Sequence, residues 1–183
     1  MSRNKFFEDG YIDVFKIDTG QYLIDLQQKI YLLTKDLLID HNPNISLDEK
    51  ILIPFKEIPG KNFWSFLMNE INNSKELNDL IDSKPIYSVF KEIFDEPSRF
   101  EICTFRARLP DQKRVIYDWH QDEGTWYLSK KKINNRLGAT LWFSVNGSNF
   151  DNSIKILKKS HKKNKLLNHK YIEGQGYFSA DTK

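Results

Sequence analysis

The chain reads as an α+β protein, with helices in its first half and an antiparallel β part after them. Three observations predict this. Apolar residues recur at steps of three and four between about residues 22 and 94, the period of helices with one buried face. After Pro97 the apolar runs become short, β-branched and aromatic, with Gly and Asn between them, as strands and turns require. Helices first and strands afterwards is the segregated order of an α+β fold.

The length of 183 residues fits one domain with a real core. With 39% hydrophobic and 29% charged residues, the composition predicts a soluble globular chain rather than a disordered one. No apolar run is long enough to cross a bilayer, so no membrane partner is expected. The N-terminus carries acidic residues where an export signal would have its apolar core, so no leader is expected. Cys103 is the sole cysteine, which excludes a disulfide framework or a cysteine-rich zinc site and points to a reducing, cytoplasmic setting.

In chain order, the segment from Phe6 to Phe15 predicts a turn at Gly10 and then a strand through Tyr11, Ile12, Val14 and Phe15. Asp18-Thr19 offers an N-cap to an amphipathic helix reaching about Ile39, its apolar face made by Leu23, Leu26, Ile30, Leu33 and Leu37. His41-Asn42-Pro43-Asn44 breaks it, and His41 reads as a polar turn residue. Ile51 to Pro54 is ambiguous, and Pro59-Gly60 is a turn. Phe63, Phe66, Leu67, Ile71, Leu77 and Ile81 predict one helix or two short ones. Pro85 suits the first turn of another helix running through Phe94. The aromatics at Phe63, Trp64, Phe66, Phe90 and Phe94 read as core rather than as a cofactor box.

Strands are then expected at Phe100 to Leu109, at Gly138 to Val145 and at Ile154 to Leu157. Asn146-Gly147 is the turn between the last two, and a polar loop spans Lys158 to Asn168. Tyr171 to Glu173 and Gly176 to Phe178 open a further element.

Charge is uneven. Acidic residues prevail before about residue 100, while lysines crowd Lys130-Lys131-Lys132 and the stretch from Lys155 to Lys170. Such clusters suit phosphates or an anionic substrate group. No nucleic-acid motif accompanies them, so a solvated surface is the preferred reading and a nucleic-acid partner is not expected.

The stretch Asp118-Trp119-His120-Gln121-Asp122-Glu123-Gly124-Thr125-Trp126 carries the chemistry. On an extended strand, His120 and Asp122 project to one face and Gln121 to the other. An imidazole and a carboxylate side by side are two of the three protein ligands of an Fe(II) facial triad. The plainer alternative is a histidine hydrogen-bonded to a neighbouring carboxylate, and the spacing by itself does not exclude it.

Several pieces taken together resemble the phytanoyl-CoA dioxygenase family of Fe(II)/2-oxoglutarate-dependent oxygenases. Glu8-Asp9-Gly10-Tyr11-Ile12 is similar to the family's opening strand, and Arg106 to Pro110 to the strand that ends in Leu-Pro before the metal motif. Trp119-His120-Gln121-Asp122 resembles its His-Gln-Asp motif. Thr140 to Val145 looks like its tryptophan-bearing strand, Asn152 to Leu157 like its Asn-Gly-x-Leu strand, and Ser160-His161-Lys162 like the end of its Pro-Gly-Ser-His-Lys turn, with Lys158 and Lys159 in place of Pro-Gly.

The resemblance implies a double-stranded β-helix (jelly-roll, cupin-like) core, with residues 1–97 as mainly helical support and 98–183 as the first part of the barrel within one domain. It implies Fe(II) as cofactor, 2-oxoglutarate as co-substrate and hydroxylation of a small-molecule C–H bond. Residue by residue, His120 and Asp122 would be iron ligands and Trp142 would line the co-substrate pocket. Alternation puts Thr140 and Ser144 on the same face as Trp142. Arg108 or Arg106 would meet a carboxylate of co-substrate or substrate, and alternation does not choose between them. Trp126 either walls the substrate entrance or packs under its loop. His161 matches the turn histidine, and His169 lies in a lysine-rich loop and is expected to be exposed, so neither is assigned to iron. The family's distal histidine, its basic 2-oxoglutarate anchor and its closing strands would lie past Lys183. The 183 residues are therefore expected to be inactive by themselves, with open strand edges available for pairing with another chain. A non-catalytic jelly-roll domain that binds a metabolite or sugar is the alternative.

Overall fold

The computed structural model describes residues 2–13, 17–39, 44–46, 50, 56–57, 59–96, 105–106, 118–124, 138–150, 153–163, 165–172 and 177–181. The chain forms two compact units, one made of Met1–Ala107 with Phe143–Lys158, the other of Arg108–Trp142 with Lys159–Lys183. Among the described residues are helices and one small antiparallel sheet, a mixed α and β content. None of these helices is long and apolar enough to cross a membrane.

The first unit is helical. Helix α1 spans Ser2–Asp9; of the strand expected after Gly10, residues 11–13 form none and Val14 and Phe15 lie outside the described residues. Gly10 does make the turn, but it closes a helix instead of opening a strand: its φ is 86° and its N–H donates to the Phe6 carbonyl at 2.8 Å. That left-handed closure is a common helix ending. Phe6 faces Phe94 edge-on at 6.1 Å between ring centres. Asp9, buried at the end of α1, pairs with Lys158 at 3.0 Å.

Helix α2 spans Gln21–Thr34 and is followed by a 3-10 turn, Lys35–Leu37. The expected helix is there, but its start differs. Gly20 is the N-cap and no side chain caps it; the Tyr22 N–H donates to the Thr19 carbonyl at 3.2 Å. At the other end the Thr34 hydroxyl donates back to the Ile30 carbonyl at 2.9 Å, which competes with the backbone ladder and loosens the helix into the 3-10 turn. The buried Gln27 donates from Nε2 to the Val145 carbonyl at 2.8 Å, so a polar group on the inner face of α2 is satisfied by a backbone carbonyl 118 residues away.

The choice between one helix and two falls on two. Helix α3 spans Lys61–Asn72 and α4 spans Lys75–Ile81. Ser74 makes the break: its backbone is extended and its Oγ accepts from the Leu77 N–H at 3.1 Å, an N-cap. Helix α5, Lys84–Lys91, carries Pro85 in its first turn as expected and ends three residues before Phe94. Helix α2 packs on α4 and α3, and α4 on α5. Leu26, Leu67, Ile71, Leu77, Leu80, Ile86 and Ile93 are the buried core, each contributing about 1.5–3 kcal/mol by leaving water.

Residues 138–144 and 154–157, expected as strands, form none. Strand-type side chains make a strand only where a second backbone completes the ladder; the strand expected at 100–109 lies outside the described residues except 105–106. The Asn146-Gly147 turn is present: Gly147 has φ 87° and the Ser144 hydroxyl donates to its carbonyl at 2.5 Å. No jelly-roll core is formed by the described residues.

In the second unit, a 3-10 turn at Ser160–Lys163 precedes β1, His169–Ile172, and β2, Tyr177–Ala180. The strands pair antiparallel, His169 opposite Ala180 and Ile172 opposite Tyr177. This hairpin is the further element that the sequence announced after Tyr171, and it begins two residues earlier. His169 is consequently on a strand and 8% exposed, not in an exposed loop.

Candidate metal centre

Residues 118–121 of the second unit are irregular and residues 122–124 take helical backbone. His120 and Asp122 therefore do not share the face of a strand, as alternation predicted. They still meet, through a tight turn in which the Gly124 N–H donates to the Gln121 carbonyl at 3.0 Å. His120 Nε2 and Asp122 Oδ1 stand 3.6 Å apart, with the two side chains 34% and 45% exposed.

Each member of the pair is held from behind. His120 Nδ1 lies 2.9 Å from the Asp118 carbonyl. A carbonyl only accepts, so Nδ1 carries the proton, and in the neutral ring Nε2 presents its lone pair toward Asp122. Asp122 Oδ2 accepts from the Thr140 hydroxyl at 2.6 Å, which leaves Oδ1 on the His120 side. The Asp122 carboxyl is held below the usual carboxylate range, first by its pairing with His120 and then by the Thr140 hydroxyl, while its partial burial works the other way. At 3.6 Å the contact is an electrostatic pairing rather than a full hydrogen bond. Two lone pairs converging across that gap call for a positive charge between them, either a proton on Nε2 or a bound cation.

The donor set fits a divalent metal. One imidazole nitrogen fixed through its other ring nitrogen by a backbone carbonyl, and one carboxylate fixed by a hydroxyl, is the outer-shell arrangement that orients metal ligands. Two atoms each about 2.1 Å from one ion stand about 3.0 Å apart at a right angle, a closure of about 0.6 Å from the separation seen here. Among the described residues no group of three or more His, Cys, Asp or Glu is gathered to hold an ion.

No protein-family profile, curated protein or solved structure matches this chain.

The other expected site residues divide. Thr140 belongs to this cluster, but its hydroxyl is engaged with Asp122. Trp142 lies two residues on and is 42% exposed. Arg106 belongs to the first unit, while Arg108 and Trp126 lie outside the described residues. His161 is on the 3-10 turn and exposed.

Sequence reading missed Gln121 and His169 as structural partners of the pair. The Gln121 side chain accepts from the Leu167 N–H at 2.7 Å and donates to the Lys165 carbonyl at 3.0 Å. His169 Nε2 accepts from the Gln121 N–H at 2.9 Å and its Nδ1 donates to the Leu167 carbonyl at 2.8 Å. The three bonds made by Gln121 join positions 44 to 48 residues apart. The one local signal was a glutamine between two candidate ligands, pointing away from them.

Proposed function

We propose that His120 and Asp122 are two protein ligands of an Fe(II) centre in a 2-oxoglutarate-dependent oxygenase that hydroxylates a C–H bond of a small molecule, on the jelly-roll core that the family resemblance implies. The observation that carries this reading is the preset pair: Nε2 and Oδ1 face each other at 3.6 Å, with the far atoms of both side chains occupied by Asp118 and Thr140. An imidazole and a carboxylate held side by side suit Fe(II). When bound, Fe(II) would supply activation of O2, one oxygen atom going to the substrate C–H bond and the other to 2-oxoglutarate, which would become succinate and CO2.

This chain's own residues bind and orient. The Asp118 carbonyl fixes the His120 tautomer, and the Thr140 hydroxyl holds Asp122 turned through Oδ2. In the same reading Trp142 lines the co-substrate pocket, Arg108 would meet a carboxylate, and Trp126 would wall the substrate entrance or pack under its loop. A second observation supports the resemblance. Lys159 has φ 64°, the left-handed region that favours glycine, and it stands where the family carries the glycine of its Pro-Gly-Ser-His-Lys turn.

The deciding experiment is anaerobic titration of the chain with Fe(II), or with Co(II) as a spectroscopic substitute. Binding that is lost in both His120→Ala and Asp122→Ala is expected. Absent binding, or binding indifferent to both changes, overturns the reading.

A non-catalytic metabolite- or sugar-binding domain is the second reading. It is favoured by the exposed indoles of Trp119 and Trp142, 48% and 42% accessible, because such faces pack against apolar ring surfaces. Ligand binding that persists in the two alanine variants without metal would select it.

A further inference from the structure

The turn that carries His120 and Asp122 is short and partly exposed, so its own bonds do little to fix it. What fixes it comes from residues 165–169 and from β2. The Gln121 amide reaches both a carbonyl and an N–H of the 165–167 backbone, at Lys165 and Leu167. The Gln121 N–H is capped by His169 Nε2. One residue before the pair, the Trp119 carbonyl accepts from the Ala180 N–H of β2 at 2.8 Å. Two residues after it, Gly124 lies against the His169 imidazole so closely that a Cβ there would fall 2.3 Å from Nδ1 and Cε1.

His169 is fully committed in this arrangement. Its Nδ1 must donate to the Leu167 carbonyl and its Nε2 must accept from Gln121, so both ring nitrogens are used and the ring is neutral. That makes it a brace rather than a ligand. Its position, buried on β1 with its ring against Gly124, ties down the backbone of the residue between the two metal-site side chains.

We propose that Gln121, His169 and Gly124 form a clamp that presets the His120–Asp122 pair, with Gln121 and His169 as positioning residues that never touch the ion. The clamp rests on the reading of His120 and Asp122 as a chelating pair for its purpose, but its geometry is testable without metal. Removing the clamp frees the turn to rotate, so the chelating arrangement becomes one of several conformers and apparent affinity falls by the fraction that remains competent.

The test uses the whole chain and two readouts. One is the tautomer of His120 in metal-free protein, read from its imidazole nitrogen shifts by NMR at pH 8. The other is Co(II) affinity. In the parent chain the Nδ1–H form of His120 should dominate. Gly124→Ala, Gln121→Ala and His169→Ala should each give a mixture of tautomers and weaken Co(II) at least about tenfold, while the Tyr171 and Ser179 amide shifts report that the β1–β2 hairpin is intact. Gly124→Ala combined with His169→Ala should be no worse than His169→Ala, since the clash needs the ring.

If His169→Ala loses the hairpin, Gln121→Glu decides. It keeps the side-chain volume and the contact to the Leu167 N–H but loses the donor to Lys165, and the same two losses are expected in smaller measure. Unchanged His120 shifts and Co(II) affinity within twofold in that variant and in Gln121→Ala overturn the clamp. If the parent chain binds no Co(II) yet the tautomer shifts in the variants, the clamp stands and the metal reading falls. If Co(II) binds through His120 and Asp122 and neither readout moves, the clamp falls and the metal reading stands.

Discussion

The two units are held together by different physics. In the helical unit, Leu26, Leu67, Ile71 and Leu80 are almost completely removed from water, and non-directional apolar burial carries the packing. In the second unit the described contacts are mostly directed and polar: Gln121 on Lys165 and Leu167, His169 on Gln121, Thr140 on Asp122, Ala180 on Trp119. A core of leucines fixes where helices lie to within a side chain. A set of hydrogen bonds fixes where particular atoms point, which is what a binding site needs.

This contrast can be broken at either end. The largest effect should come from Leu80→Ala, which opens a cavity in the helical core and should cost about 2–5 kcal/mol in chemical denaturation followed by far-UV circular dichroism. A smaller loss would mean that α4 is less central than its burial implies. Gly124→Ala comes next. Forcing a methyl against the His169 ring should cost about 1–3 kcal/mol, and the disturbance should appear first in the resonances of Gln121 and His169.

Local devices sharpen the comparison. Ser74→Ala removes the cap that separates α3 from α4 and should cost about 1 kcal/mol, read as a shift in the unfolding midpoint. Lys159→Gly relieves a left-handed backbone and should add about 1 kcal/mol; destabilisation instead would mean that the lysine side chain contributes more than the strain it brings. Thr140→Val removes one of the two interactions that lower the Asp122 carboxyl, so its titration, followed by carbon NMR, should move up toward the ordinary value of about 3.9. The sign for the parent protein follows from the depressed folded value. In its folded surroundings the ionised Asp122 carboxyl contributes stability that is present above the ordinary carboxyl range and is lost as pH falls through the depressed value.

The helical half was legible because burial writes a period into the sequence. Leu23, Leu26 and Ile30 mark α2, and Pro85 marks the start of α5. What escaped was decided by single atoms: Gly20 rather than Asp18 or Thr19 at the head of α2, Ser74 turning one possible helix into two, and Gly10 closing a helix. The strands expected at 138–145 and 154–157 failed for another reason. Side-chain type states a preference for extended backbone, while a strand also needs a partner, and partnership has no local signature.

The candidate site was legible in its chemistry but not in its construction. His120 and Asp122 were singled out for the spacing of a strand, and they meet through a turn. The bond from Thr140 to Asp122 had no counterpart in the sequence pattern. His169 was expected in solvent because lysines surround it in sequence, yet its ring is enclosed by Gly124, Gln121 and Leu167. Long-range hydrogen bonds of this kind leave no period and no run of like residues to read.

The most direct measurement of the central claim is metal affinity in parallel for the parent chain, His120→Ala and Asp122→Ala, by anaerobic Fe(II) or Co(II) titration at pH 7–8. The account predicts one ion per chain in the parent and at least about tenfold weaker binding in each variant. Equal affinity in all three, or none in the parent, would contradict it.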